Sequence, residues 1–242
     1  PRPFVVDIPD EVLVDLDRRL AATRFPASIP GAGWSYGTDV DYLRELVDYW
    51  RTGFDWRDAS ADGWEAAEPT EVFARATGQE APVATTARAV WDGETLYVLY
   101  ECAEPEMDAL QATDRPRDGG VFFDDCVELF VDADRDQKRY RHYVVNAAGS
   151  IYDEQRVAGR PKTGEQVEWD SGIEAVAETG DDGWTVAMRI PLSDLGRRPK
   201  PGAEFGMNFC RHRASTGGNL SWATTGANFH SPDRFGIVTF LK

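Results

Sequence analysis

The stretch VFFDDCVELFVDADRD, Val121 to Asp136, decides how the chain is read. Cys126, Val127, Leu129, Phe130 and Val131 give its middle the composition of a strand, yet Glu128 sits inside that run. Strand side chains alternate between two faces. Val127, Leu129 and Val131 therefore share an apolar face, and Cys126, Glu128 and Phe130 share the other. A carboxylate held away from water is costly unless it has partners. Glu128 is thus either held by a neighbouring Arg inside the sheet or aimed into a ligand cleft. Asp124 and Asp125 precede the strand, and Asp132, Asp134 and Asp136 follow it at alternate positions.

Outward from this strand, short β-rich runs recur between Gly, Asp and Pro clusters. They are VATTARAVW, TLYVLYEC, DCVELFVD, YRHYVVNAAG, GWTVAMRIP, EFGMNFCR, NLSWA and FGIVTFL. Many short strands with no long helical pattern between them predict an antiparallel β-sandwich, so the fold class is mainly β. No internal repeat or low-complexity segment interrupts the pattern.

The first 57 residues have a different rhythm. Asp7 and Pro9 suit the first turn of a helix, Val12, Leu13, Leu16 and Leu20 recur at helical spacing, and Pro26 ends the pattern. Thr38 is a candidate cap for a second helix, with Leu43, Leu46, Val47 and Trp50 on one face. Neither helix is long enough to stand alone, so both apolar faces need something to dock on. The expected organisation is a short helical appendage at 1–57 and a sandwich at 58–242, joined around Arg57 to Glu68.

Composition narrows the partners. A net charge of -16 argues against nucleic acid, which requires a cationic surface, and against an anionic membrane. There is no run of 18 apolar residues. A hydrophobic content of 42% supports a packed core. Cys102, Cys126 and Cys210 form no CxxC pair, and each lies in an apolar run. Buried free thiols favour a reducing compartment, so a cytoplasmic location is the expectation. A cleaved leader would leave the same sequence.

Two resemblances carry further expectations. PFVVDIPDEVLVDLDRRLAATRFP and GWSYGTDVDYLRELVDYWRTGFDWR, within Pro3 to Arg57, resemble the N-terminal region of microsomal-type epoxide hydrolases. In that family the segment wraps an α/β-hydrolase domain with an Asp nucleophile. Residues 58–242 have no G-x-S-x-G elbow, so this resemblance supplies no catalytic residue. From about Asp62 onward, ARAVWDGETLYVLYEC, FDDCVELFVD, YRHYVVNAAGSIYD, GWTVAMRIPLSDLG, FGMNFCRHR, LSWA and FHSPDRFGIVTF resemble the family 9 carbohydrate-binding modules and their DOMON-like relatives. The resemblance implies a sandwich with a ligand cleft and structural calcium. It also implies two aromatic residues that sandwich a sugar ring, at positions held here by Phe122 and Phe229 where sugar-binding members have Trp. A phenyl face still stacks on sugar C–H groups, with less area and no indole N–H.

Alternation then proposes the cleft. The ligand side implied by the resemblance is the Glu128 face. His142 and Asn146 share a face of YRHYVVNAAG, and Asn208 and His212 share a face of FGMNFCRHR. Glu128, His142, Asn146, Asn208 and His212 could converge there. Arg211 and Trp222 complete the expected ligand-binding set with Phe122 and Phe229. Asp132, Asp134 and Asp136 supply hard oxygens that suit calcium, or they form a solvated hairpin tip. Met107, Met188 and Met207 raise haem as a minor option, because some DOMON-like relatives ligate it through Met and His.

The leading expectation is a module that binds a carbohydrate or similar small ligand in an aromatic, acid-containing cleft. The alternative is a natural-product enzyme, a cyclase or an epoxide-opening catalyst, built on the same fold. Glu128 and Asp124 or Asp125 would then act as acids, with His142 or His212 as base.

Overall fold

The computed structural model describes residues 10–27, 33–36, 38–52, 64, 67–161, 169–226 and 228–241. Expectations that rest on Asp7, Pro9 and most of the joining stretch lie outside those residues. The chain divides into two compact units, Pro1–Glu65 and Ala66–Lys242.

In the first unit, α1 (Asp10–Ala21) and α2 (Val40–Thr52) flank a short 3-10 turn, Gly33–Tyr36. The two helices touch, and Arg51 Nε lies 3.4 Å from Asp17 Oδ1. Asp39, not Thr38, caps α2. Its Oδ1 accepts from Asp41 N at 2.7 Å and Tyr42 N at 3.3 Å. A capping oxygen must reach the second or third helical N–H, and Thr38 is one residue too early. Of the expected apolar face, Leu43, Leu46 and Val47 are half-buried and Trp50 is exposed.

The second unit is the predicted antiparallel sandwich. Its strands are β1 (Ala74–Arg75), β2 (Thr85–Trp91), β3 (Thr95–Ala103), β4 (Cys126–Asp132), β5 (Arg139–Asn146) and β6 (Ile151–Val157). They continue with β7 (Glu174–Thr179), β8 (Gly183–Pro191), β9 (Glu204–Arg213), β10 (Gly218–Ser221) and β11 (Gly236–Thr239). The larger sheet runs β1-β10-β9-β4-β5-β6, with β11 also paired to β9, and the smaller runs β2-β3-β8-β7. Period-two patterning builds the core. Val98 and Tyr100 of β3, Val186 and Met188 of β8, Val127, Leu129 and Val131 of β4, and Tyr143 and Val145 of β5 join one buried cluster. The eight runs read from the sequence are all strands. β1, β6 and β7 were not anticipated: β1 is two residues long, and IYDEQRV and EAVAET are too polar to stand out.

Because the odd-numbered residues of β4 fill this core, Glu128 and Phe130 face the other side of the larger sheet. That face is closed by small satellite clusters. Phe130, Tyr140, Cys210 and Phe229 form one, and Val121, Cys126, Val144 and Tyr152 form another. The candidate site lies between them. All three cysteines are buried and free. Among the described residues no helix is long and apolar enough to cross a membrane.

Candidate functional site

A cleft of about 310 Å³ opens on this outer face. Phe122, Tyr152 and Phe229 supply aromatic surface, and Glu128, His142, Glu154, His212, Asn219, Asn228 and His230 supply polar groups. A larger depression of about 430 Å³ lies near Val72, Phe73 and Val83, but Glu80 is its only titratable lining residue. Apolar walls with a few convergent polar groups mark a ligand site, and only the smaller cleft has both.

Strand register builds the cleft floor. His142 of β5 lies directly opposite Phe130 of β4 and Glu154 of β6. The Phe130 and His142 rings stack at 4.2 Å with 13° between planes. Glu128 lies one pleat diagonally away, opposite Val144. His142 Nε2 is 2.7 Å from Glu128 Oε2, and its Nδ1 is 3.0 Å from Glu154 Oε1. The Tyr152 hydroxyl donates to Glu154 Oε2 at 2.7 Å. All four of these side chains are buried, so the polar line is fixed by partners rather than by water.

The two imidazoles of the floor are driven apart in charge. Burial alone pushes His142 toward neutrality, but the hydrogen bonds its ring makes to the Glu128 and Glu154 carboxylates outweigh it and raise its pKa. His230 falls to about 4, first through burial and then through the positive charge of His142. Its ring stands 4.9 Å from that of His142, nearly perpendicular. The Tyr140 hydroxyl bonds His230 Nδ1 at 2.9 Å. The two neighbouring imidazoles are thus shifted in opposite directions, His142 toward its charged form and His230 toward its neutral one.

Of the expected site residues, Phe122, Glu128, His142, His212 and Phe229 line the cleft. His212 Nδ1 bonds Asn219 Oδ1 at 2.8 Å. The reading of Glu128 as a group aimed at the cleft fits, but its partner is His142 and not an Arg. The others are placed elsewhere. Asn208 is tied to a loop, with Nδ2 on Ala223 O and Oδ1 on Ala223 N, each at 3.0 Å. Asn146 bonds Thr113 O and Asp124 through Nδ2, both at 2.8 Å. Arg211 is on the opposite face of β9, in step with Met207 and Phe209. It is fully buried and bonds Glu104 Oε2 at 2.8 Å. Trp222 packs on Phe209 with ring centres 5.7 Å apart. It lies so close under Gly236 that an added Cβ would stand 2.2 Å from the indole.

Asp124, a candidate acid under the enzyme alternative, is a structural anchor. Arg115 reaches it with Nε at 2.8 Å and Nη2 at 2.7 Å, and Thr113 N and Asn146 complete its shell. The Arg115 guanidinium holds the Asp124 pKa below its ordinary value. Asp124→Asn is expected to cost about 1.5 kcal/mol at neutral pH, the loss of a charge-assisted hydrogen bond. The sign with pH follows from the lowered pKa. The ion pair stabilises the fold above the ordinary carboxylate value of about 3.9, and the contribution is lost as pH falls through the lower folded value. Urea denaturation of both proteins should show the gap closing on acidification. A gap that persists in strong acid would contradict the assignment.

Calcium does not fit the residues proposed for it. Asp132 accepts from Asp136 N at 3.2 Å and Gln137 N at 2.8 Å. Asp136 accepts from Lys138 N and Arg139 N, both at 2.8 Å, and Asp134 faces Arg197 at 3.6 Å. These carboxylates shape a turn whose Arg135 and Gln137 have positive φ, and they do not gather around one point. A second acidic group, Asp118, Asp153 and Asp170, already has a cation in it. Arg117 bonds Asp153 through Nη2 and Asp170 through Nε, the latter at 3.1 Å. Haem through Met fails as well. Met188 and Met207 are in the core between the sheets, Met107 packs against that core, and His142 and His230 belong to the outer face.

Glu154, His230, Tyr152, Asn219 and Asn228 complete the cleft and were not among the expected residues. Tyr152 and Glu154 could have been found by extending the period-two reading past YRHYVVNAAG into SIYDEQRV. His230 and Asn228 come from a loop, where no periodicity applies.

Fold and cleft together define a β-sandwich of the ligand-binding-module class, with an aromatic, histidine-bearing cleft on the outer face of its larger sheet. A family model described as "Carbohydrate family 9 binding domain-like" matches residues 58–242, and the chain belongs to that family. The model "Epoxide hydrolase N terminus" matches residues 1–68.

Among solved structures, a Bacteroides uniformis protein aligns with TM-score 0.60 and 21% identity, covering 76% of this chain and 90% of its own. A family 9 carbohydrate-binding module from Caldicellulosiruptor kristjanssonii, in complex with cellotriose, aligns at 0.55 and 20%, covering 74% and 85%. At these identities the likeness is one of fold. Juvenile hormone epoxide hydrolase 2 of Ctenocephalides felis is 40% identical over 60 residues, 25% of this chain and 13% of that protein. Epoxide hydrolase 1 of Sus scrofa is 38% identical over 56 residues, 23% and 12%. The chain thus spans about an eighth of the length of these curated relatives.

Proposed function

We propose that the protein binds a small saccharide, or a ligand of similar ring size and polarity, in the outer-face cleft. The observation that carries this reading is the meeting of Phe122 and Phe229 with a fixed hydrogen-bonding floor in one cleft. Aromatic faces take the C–H surface of a sugar ring, and the Glu128, His212 and Asn219 side chains take its hydroxyls. The volume is at the small end of ligand sites, about 300–1,000 Å³, which suits one or two rings. The fold relatives from Caldicellulosiruptor kristjanssonii, in complex with cellotriose and with glucose, support the ligand class. The three buried free thiols fit a reducing compartment such as the cytoplasm. Affinity electrophoresis against a panel of soluble polysaccharides, followed by calorimetry with glucose and cellotriose, tests the reading. Retardation on at least one polymer is expected, and free migration on all of them with no heat from either sugar would reject it.

One observation favours an enzyme as the second reading. His142, with its pKa raised, and His230, with its pKa lowered, stand side by side, and titratable neighbours pushed apart in pKa are how a site holds acid and base together. A cyclase or an epoxide-opening catalyst would use such a pair. Under this reading an aryl epoxide panel yields diol, and Glu128→Gln lowers turnover by about 10²–10⁴-fold while binding stays nearly intact. Loss of affinity alone would return the site to simple binding.

A further inference from the structure

We infer that His142, Glu154 and His230 form a binding site for one divalent transition-metal ion at the cleft floor. One ligand atom from each of the three lies within 4.8 Å of the other two. Two of the side chains come from adjacent strands, β5 and β6, whose direct pairing sets them face to face. The third arrives on the loop before β11. Two imidazoles and one carboxylate make a donor set that suits ferrous iron or zinc and leaves coordination positions open. It differs from the oxygen-only set that calcium takes and from a Met-His haem pair.

The spacing supports the inference. Bonds from such an ion to His nitrogen or carboxylate oxygen are about 2.0–2.2 Å, so adjacent ligand atoms stand roughly 3 Å apart. His142 Nδ1 and Glu154 Oε1 are already 3.0 Å apart. The atoms that would not bind metal are already held. His142 Nε2 is on Glu128 at 2.7 Å, and His230 Nδ1 is on the Tyr140 hydroxyl at 2.9 Å. Glu154 Oε2 accepts from the Tyr152 hydroxyl at 2.7 Å. Metal-bound histidines characteristically carry such a partner on the second nitrogen, which fixes tautomer and ring orientation. His142 Nδ1, the second nitrogen of His230 and Glu154 Oε1 are then the ligand atoms.

Charge points the same way. The carboxyl groups of Glu128 and Glu154 both bond His142, an acidic surrounding that suits a divalent cation. The nearby Arg156 opposes the ion, but its Nη1 stands 3.9 Å from Glu154 Oε2, the oxygen turned away from the proposed ion. His142, Glu154 and His230 all line the cleft, so a hydroxyl or carbonyl oxygen of a ligand held there can occupy a further coordination position. The inference does not rest on the saccharide reading, because metal affinity is measured without sugar.

The test uses the full chain, stripped with chelator and dialysed, and titrated with zinc chloride by calorimetry and with cobalt(II) by visible absorption. One saturable site per chain is expected, with cobalt bands typical of nitrogen and oxygen ligands. His230→Ala removes a loop ligand and is expected to weaken zinc at least tenfold. Glu128→Gln keeps the shape beside His142 and is expected to weaken it about 10- to 100-fold, as for an outer partner of a metal-bound His. Asp118→Asn, in the other acidic group, is expected to change nothing. Absence of saturable binding by the folded wild type would overturn the inference. So would zinc affinity unchanged in both His230→Ala and Glu128→Gln, or affinity lost in Asp118→Asn.

Discussion

Glu104→Gln is expected to lower the unfolding free energy by about 3–5 kcal/mol, the cost of breaking a buried ion pair by removing one partner. Glu104 is 1% exposed and follows β3 directly. Its Oε2 accepts from Arg211 Nη2 at 2.8 Å and from Arg213 Nε at 2.9 Å, and its Oε1 accepts from Arg213 Nη2 at 2.7 Å. Burial alone would raise its pKa, but Arg213, the Glu106 backbone N–H and Arg211 together bring it below the ordinary value. Gln keeps the volume, removes the charge and turns one acceptor into a donor aimed at a guanidinium. Arg211 has no access to bulk solvent. It is fully buried beneath the Trp184 ring, with its guanidinium carbon 5.3 Å from the ring centre. Its other bonds go to Thr85 Oγ1 and Ala103 O. Urea denaturation with an unchanged slope reads the loss. A cost under about 1 kcal/mol would mean that solvent reaches the cluster.

Arg211 also shows where sequence reading ran out. The two sheets were legible because β4, β5, β8 and β9 alternate cleanly. The same alternation puts Arg211 in step with Met207 and Phe209, on the core face. An apolar-facing Arg is explained by Glu104, which is more than 100 residues away in the chain, and no local pattern announces such a partner. Glu128 was assigned to the correct face for a sound reason, yet its partner depends on the register of β4 against β5. Glu154 was not singled out because Asp153, Glu154, Gln155 and Arg156 are four polar residues in a row. They form a strand because β5 is there to pair with, which is tertiary context overriding composition. For the aspartates after β4 two readings stood open, an ion site and a solvated hairpin tip. Oxygens at alternate positions suit an ion, but Asp side chains bond nearby backbone N–H groups just as readily, and here the turn takes them.

The second large effect expected is on ligand binding. Phe122 is half-buried and rests edge-to-face on Tyr152 with ring centres 5.3 Å apart, so truncating it leaves the sheet core untouched. Phe229 is buried against Phe130. Replacing it with Leu keeps most of the volume and removes the flat face. Loss of an aromatic anchor at a ligand site costs roughly 1–3 kcal/mol, which is about 5- to 150-fold in affinity.

Calorimetric titration of the best-binding saccharide into wild type, Phe122→Ala and Phe229→Leu is the most direct measurement of whether this cleft is the binding site. Wild type should bind with a defined stoichiometry, and each variant should weaken by that factor while its thermal unfolding remains cooperative. Equal affinity in all three proteins would contradict the assignment and place the ligand elsewhere on the molecule.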